Sequence, residues 1–319
     1  MYKEFFGLKE SPFNVNPDPR YLYLTKQTQE AYACLTYGIQ ARKGFILLTG
    51  EVGTGKTTLL NRLLDWLRTQ RATTAFIFNP RLSVTQLLDF MMTDFGIPCE
   101  SKLKSQVLLR LNQWLLERYK AGETAVLIID EAQNLSPQVL EEIRLLTNLE
   151  TSTEKLLQIV LAGQPELEAK LAQPQLRQLR QRITLRSKTK ALSIEETDGY
   201  IQERLKIGGA SNTEIFSPSA VEAIHKFANG IPRVINLLCE HSMINAFVEH
   251  QNPIQKETVE EVAREFQLDK IDPVAQAVTP VQHSEAAPLV QSLLQNLANL
   301  IERIGQQEQA VETSRERKP

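Results

Sequence analysis

The segment 50–58 constrains the fold most, because it reads GEVGTGKTT and matches the phosphate-binding pattern G-x-x-x-x-G-K-[ST]. An apolar run at 44–48 precedes it, and leucines at helical spacing follow it over 59–67. This pattern binds phosphate when a strand enters the loop and a helix leaves it. The segment is therefore predicted to be a nucleotide-binding loop between a strand and a helix.

Each part of this loop has an expected role. Its glycines allow backbone N–H groups to point at the β-phosphate, and the start of the helix adds positive charge. Lys56 is expected to reach the β- and γ-phosphates, and the Thr57 hydroxyl to hold Mg²⁺. The predicted nucleotide-binding residues of the loop are Gly50, Glu51, Val52, Gly53, Thr54, Gly55, Lys56, Thr57 and Thr58.

A second candidate site follows the apolar run AVLII at 125–129, which ends in Asp130 and Glu131. A continuous apolar run predicts a strand that is buried on both faces of a parallel sheet. Carboxylates after such a strand emerge at the carboxyl edge, where ligands of these sheets bind. In this Walker B pattern, Asp130 is expected to orient Mg²⁺ through water, and Glu131 to position the attacking water.

The rest of the chain alternates strands and helices and then becomes all-helical. This order predicts an α/β three-layer sandwich with a parallel sheet, followed by a small helical lid. The predicted last strand is 183–185, and the proline-rich aromatic segment 1–24 is expected to pack on the body rather than to contact the base. The predicted regions are an arm and leading helix at 1–43, an ATPase core at 44–190, a lid at 191–268, a linker at 269–288, and an amphipathic helix with a disordered tail at 289–319.

Composition excludes several classes of protein. The net charge is −2, so the whole molecule has no bias toward nucleic acid. Cys34, Cys99 and Cys239 are odd in number and far apart, which argues against a disulfide framework and a zinc site. We find no secretion signal and no run of about 18 apolar residues. The chain is therefore expected to be cytoplasmic and to have no membrane span.

Two further segments suggest partners. Basic residues occur over 170–190 without an acidic one, which predicts an anionic neighbour: a nucleotide on an adjacent subunit or a nucleic acid. The apolar stripe over 289–304 predicts a helix that binds a partner, associates with itself or folds back on its own body.

Together, the phosphate loop, the Walker B strand, the arginine-rich stretch and a helical domain bearing GIPR resemble the AAA+ ATPases. The chain is most similar to the ExeA/GspA type of bacterial secretion over residues 1–268. The segments that carry this resemblance are FFGLKESPFNVNPDPRYLYLT, LLTGEVGTGKTTLLNRLL, LIIDEAQNLSPQVLEEIRLLTNLET and IVLAGQPEL.

The resemblance implies ATP and Mg²⁺ as cofactors and assigns further site residues. Gln164 stands at the sensor 1 position, where AAA+ proteins commonly carry Asn or Thr, and Arg233 of GIPR matches sensor 2. Arg182 fits an arginine finger supplied to a neighbouring subunit, with Arg177 and Arg180 as alternatives. Because a finger supplied in trans is typically worth ~10³ to 10⁵ in rate, activity would require a ring or filament.

Two functions remain open at this point. The first is an ATP-driven factor of secretion or envelope export that acts through protein partners. Such a factor would be either a soluble relative of the secretion ATPases or peripheral to the inner membrane through a partner. The second is a regulator of DNA transposition or replication initiation that binds duplex DNA; the slightly acidic balance disfavours it. A small-molecule kinase is disfavoured, since a helical lid with GIPR has no evident role in that chemistry.

Overall fold

The structure is a computed structural model that describes residues 1–78, 81–98, 101 and 103–270. The predicted tail helix, the linker from 271 onward and Cys99 lie outside the described residues. In the part that is described, we find no helix long and apolar enough to cross a bilayer.

The strands are β1 (Phe45–Thr49), β2 (Ala72–Ile77), β3 (Thr124–Ile129), β4 (Leu157–Gly163) and β5 (Leu185–Lys188). The helices before β5 are α1 (Tyr2–Phe5), α2 (Lys26–Gln40), α3 (Lys56–Arg68), α4 (Val84–Asp94), α5 (Lys104–Lys120), α6 (Pro137–Leu146), α7 (Pro165–Leu171) and α8 (Arg177–Arg182). The helices after it are α9 (Ile194–Ile207), α10 (Pro218–Ala228), α11 (Pro232–Val248) and α12 (Lys256–Glu265). Short 3-10 turns lie at Pro19–Tyr21, Ala132–Asn134, Pro174–Leu176 and Leu268–Lys270.

The strands form one parallel sheet in the order β2-β3-β4-β1-β5. In register, Thr49 at the end of β1 lies opposite Gly163 at the end of β4, and Ile129 of β3 lies opposite Leu161. Because β4 is between β1 and β3, the loops after these strands meet at one edge of the sheet. This topology gathers the phosphate loop, the Walker B carboxylates and Gln164.

Both faces of the central strands are covered. Alternate residues of β1, β3 and β4 pack with α4, α5 and α6 on one face and with α2 and α3 on the other. The predicted three-layer sandwich is therefore confirmed.

The predicted last strand at 183–185 is wrong in position, because β5 runs from Leu185 to Lys188. Ile183 instead follows α8 and packs in the core, while Arg186 and Lys188 point outward from an edge strand. An edge strand needs one apolar face only, so β5 lacks the continuous apolar run that marks the central strands.

The helices α9–α12 pack around a separate hydrophobic core that includes Phe6, Leu8 and Phe13 from the amino-terminal arm. Phe13 is fully buried and makes an edge-to-face contact with Phe216, at 6.1 Å between ring centroids. The predicted packing of the arm is therefore observed: its first aromatic residues pack in the helical domain, and Leu22 packs against the core on the α2–α3 face of the sheet.

We expect Phe13→Ala to lower the free energy of unfolding by about 3–5 kcal/mol, since it removes a buried ring and leaves a cavity. Denaturant unfolding followed by circular dichroism would measure this loss. Leu24→Ala is the control, because Leu24 belongs to the same arm but is 52% exposed. Equal losses in the two variants would contradict the arm's place in the core.

Candidate nucleotide-binding site

A cavity of about 420 Å³ opens at the carboxyl edge of the sheet. Its volume lies in the range of about 300–1,000 Å³ that is usual for ligand pockets. The sheet edge, the arm and the helical domain all contribute to its wall. Its lining includes residues 52–58, Glu131, Val15, Pro17, Leu22, Tyr200, Arg204, Arg233 and Asn236.

The phosphate loop joins β1 to α3, and α3 begins at Lys56 as predicted. Gly53 has φ of +79°, and a Cβ there would lie 2.8 Å from the Cβ of Arg233 and 2.9 Å from Ile231 Cγ2. Only glycine therefore allows the loop this close to the start of α11. Thr54 also anchors the loop, since its hydroxyl is 2.7 Å from that of Thr189.

Lys56 is buried under the loop and donates to the carbonyls of Gly50 at 2.8 Å and Glu51 at 2.9 Å. Burial lowers the pKa of its ammonium group, against smaller opposing effects of nearby carboxylates that include Glu131 and Asp130. The side chain is thus held at the loop as a donor that a phosphate could engage.

The Thr57 hydroxyl donates to Asp130 Oδ2 at 2.8 Å. Asp130 is buried, which raises the pKa of its carboxyl group. A nearby cation would favour the ionised form. A hydroxyl and a carboxylate oxygen in contact are also the hard ligands that Mg²⁺ prefers. The donor set therefore fits a magnesium ion at this position.

Glu131 follows Asp130 in a left-handed backbone conformation, with φ of +53°. This conformation is uncommon for a residue with a side chain and occurs where the surrounding structure determines it. Gln164 Nε2 donates to Glu131 Oε2 at 3.1 Å, and Gln133 Nε2 donates to the same oxygen. Two amides thus fix the orientation of the carboxylate.

Gln133 is a residue that the sequence interpretation missed. Its Oε1 accepts from the backbone N–H of Gln164 at 3.1 Å, so it links the loop after β3 to the loop after β4. Lys170 donates to the carbonyls of Gln133 and Leu135 and so supports the turn. The sequence offered one indication of this role, because Gln133 stands only two residues after the Walker B glutamate, Glu131.

Arg233 lies beside the phosphate loop, and its backbone N–H donates to Gly53 O at 3.2 Å. Gly230 precedes it with φ of +69°, where a Cβ would lie 2.1 Å from Leu192 O. The close turn of GIPR therefore requires glycine and places α11 against the loop.

The arginine candidates lie outside the cavity wall of their own chain. Arg182 donates to Thr147 Oγ1 and Asn148 Oδ1, each at 2.6 Å, whereas Arg177 and Arg180 are exposed.

Two lysines of the basic stretch at 170–190 find their partners within the chain itself. Lys188 forms an ion pair with Glu168 at 2.9 Å, and Lys170 is held by carbonyl oxygens. The expected anionic neighbour is therefore not needed for these two lysines.

Residues 39–171 match the family described as AAA domain. The chain is also 47% identical over 255 residues to General secretion pathway protein A from Aeromonas hydrophila, an alignment that covers 80% of this chain. The chain carries an AAA domain of the general secretion pathway protein A type. It spans 46% of that relative's own length.

Solved structures show the same fold. The Aeropyrum pernix ORC2 protein, in ADPNP-ADP complexes, has a TM-score of 0.62 at 16% identity, covering 85% of this chain and 76% of that chain. The Cdc6p protein from Pyrobaculum aerophilum has a TM-score of 0.60 at 19% identity, covering 82% and 70%. The predicted AAA+ fold and the resemblance to the ExeA/GspA type are therefore confirmed.

We expect Gln133→Ala to lower ATP turnover by roughly 10²-fold, because small displacements of a positioned group cost about that much. Nucleotide affinity should stay within about twofold, since Gln133 contacts the carboxylate and not the phosphate loop. Gln138→Ala is the control, as Gln138 is exposed on the following helix. Steady-state turnover and equilibrium nucleotide binding would be measured for both, and equal effects would contradict the role given to Gln133.

Proposed function

We propose that this chain is a Mg²⁺-dependent ATPase that drives the assembly or operation of a bacterial secretion or envelope-export system through protein partners. The observation that carries the proposal is the contact between Thr57 and Asp130, at 2.8 Å, beside the amide-held carboxylate of Glu131. The phosphate loop forms the adjoining wall of the cavity.

Binding of the phosphates uses the loop and its lysine. The Lys56 ammonium would exchange its contacts with the Gly50 and Glu51 carbonyls for contacts with the β- and γ-phosphates. The N–H groups at the start of α3 add further donors. Thr57 and Asp130 would hold Mg²⁺, which supplies electrostatic stabilisation of the charge on the transferring phosphoryl group.

Glu131 would orient the attacking water. Both amide donors, from Gln133 and Gln164, reach Oε2, and among the described residues no side chain donates to Oε1. The Oε1 atom therefore remains available to accept a hydrogen bond from water. In this arrangement Gln164 acts through Glu131 rather than only on the γ-phosphate, which refines its expected sensor 1 role.

Arg233 would contact the γ-phosphate from the helical domain. Its backbone already contacts Gly53, so a small movement of α11 changes the position of its guanidinium relative to the loop. This contact provides a physical route by which nucleotide state would move the lid.

We assign the arginine finger in trans to Arg182, with Arg177 and Arg180 as alternatives. Both acceptors of Arg182 are neutral, so its charge is oriented without being neutralised by a carboxylate at those contacts. A ring or filament would then bring this charge to the nucleotide of a neighbouring subunit.

The cellular role rests on the similarity to General secretion pathway protein A. We place the activity in the cytoplasm, peripheral to the inner membrane through a partner, and propose that the apolar stripe of residues 289–304 binds that partner.

Binding of duplex DNA is the second candidate function. The exposed side chains of Arg177, Arg180 and Arg186 are the observation that favours it, because no ion pair within the described residues neutralises them. Phosphates of DNA and of a neighbouring nucleotide would attract the same guanidinium groups.

We expect Lys56→Ala to abolish nucleotide binding, because it removes the charge that faces the phosphates. Glu131→Gln should retain ATP and fail to hydrolyse it, because the loop and Lys56 remain intact. Equilibrium binding and single-turnover hydrolysis would separate the two effects. Equal loss of ATP affinity in both variants would contradict the roles given to these residues.

Arg182→Ala should leave nucleotide binding unchanged and lower turnover by ~10³ or more if its guanidinium acts in trans. Mixing Arg182→Ala with Glu131→Gln chains should restore turnover at interfaces where an intact arginine faces an intact glutamate. The same mixtures with Arg177→Ala and Arg180→Ala serve as comparisons. Absence of restored turnover for all three would rule out a finger from this stretch.

Turnover per subunit as a function of protein concentration, with and without duplex DNA, tests the function as a whole. Rates that rise with concentration and do not respond to DNA support a self-assembling ATPase that acts on protein partners. Stimulation by DNA that decreases with salt would instead support the second candidate.

A further inference from the structure

A hydrogen-bonded series of three side chains from the helical domain lines the same cavity. Arg204 donates to the hydroxyl of Tyr200 at 2.9 Å, and that hydroxyl donates to Asn236 Oδ1 at 2.8 Å. All three side chains are buried, and all three line the cavity. These three side chains therefore form part of the wall that a bound nucleotide would contact.

The direction of each hydrogen bond follows from chemistry. Arginine can only donate, so the Tyr200 oxygen accepts from Arg204 and its proton is free to go to Asn236. The side-chain oxygen of Asn236 is then the acceptor, which fixes the orientation of the amide. Consequently, the Asn236 nitrogen faces away from Tyr200 as a donor.

This nitrogen is available to a ligand. Asn236 is 7% exposed and lines the cavity, yet no described residue accepts a hydrogen bond from its Nδ2. It lies three residues after Arg233 on α11, and therefore on the same face of that helix. The nitrogen is not among the buried side-chain atoms that lack a partner, so it is accessible from the cavity, where a ligand or water can accept its hydrogen bond.

The arm supplies apolar surface to the same cavity from Val15, Pro17 and Leu22. Two contacts fix this surface: Arg204 donates to Pro12 O at 2.6 Å, and Asn61 of α3 donates to Pro17 O at 2.8 Å. Apolar surface and an amide donor in one cavity suit a planar, nitrogen-containing ring.

We infer that Asn236 contacts the base of the nucleotide, donating from Nδ2 to a ring nitrogen of adenine. The inference rests on the proposed function only in that the phosphates occupy the loop of 50–58. Adenine offers unprotonated ring nitrogens at N1, N3 and N7, each of which can accept this hydrogen bond. Tyr200 and Arg204 act as positioning residues, because they set the amide orientation.

The test is equilibrium binding of ADP and of its 1-deaza, 3-deaza and 7-deaza analogues, in which one acceptor nitrogen is replaced by C–H. Diphosphates are used because no hydrolysis can occur. We expect the unaltered protein to bind one of the three analogues at least about tenfold more weakly than ADP. The Asn236→Ala variant should bind ADP and that analogue with equal affinity. Asn245→Ala, on the same helix, is the matched control and keeps the difference.

Tyr200→Phe is the second variant, since it removes the hydroxyl that orients the amide and leaves Asn236 in place. It should reduce the same ADP-to-analogue difference. Equal weakening of ADP and all three analogues by Asn236→Ala overturns the inference. Nucleotide binding that persists without any base discrimination overturns the inference alone, whereas no binding to the unaltered chain also overturns the proposed function.

Discussion

Parallel pairing of β4 with both β1 and β3 is the constraint on which the site depends. Each of these strands is buried on both faces, so its backbone groups must be paired within the sheet. That requirement brings the carboxyl ends of the strands together. The phosphate loop, Asp130 and Gln164 come from separate loops and meet only because the strands that precede them are neighbours.

The site concentrates polar groups that burial would otherwise disfavour. Lys56 and Asp130 are nearly inaccessible to solvent. Burial lowers the pKa of the Lys56 ammonium and raises the pKa of the Asp130 carboxyl, so it favours the neutral form of each group. Carbonyls of the loop stabilise the ammonium, and Thr57 stabilises the carboxylate. The carboxylate of Glu131 is held in the same way, by amides from Gln133 and Gln164. Stability and preorganisation of this edge thus depend on the same hydrogen bonds.

The amino-terminal arm couples the two parts of the fold. Its first aromatic residues lie in the core of the helical domain, and Pro17 is bound by Asn61 of the helix that follows the phosphate loop. Arg204 joins α9 to the arm through two backbone carbonyls, at Pro12 and Asn14. A movement of the helical domain would therefore move the wall of the cavity as well as Arg233. The arm is consequently a structural link between the helical domain and the wall of the cavity.

The sequence by itself determined the elements whose requirements are local. The phosphate loop and the apolar strands after 44 and 124 each depend on residues a few positions apart, and the structure shows these elements where predicted. Tertiary structure decided the partners that come from distant positions. Arg204 and Pro12 are separated by 192 positions, and neither residue type indicates the other. Gln133 and Asn236 are ordinary polar residues in the sequence. Folding half-buries Gln133, buries Asn236 and brings specific hydrogen-bond partners within reach of both, because hydrogen-bond geometry is set by packing and not by sequence separation.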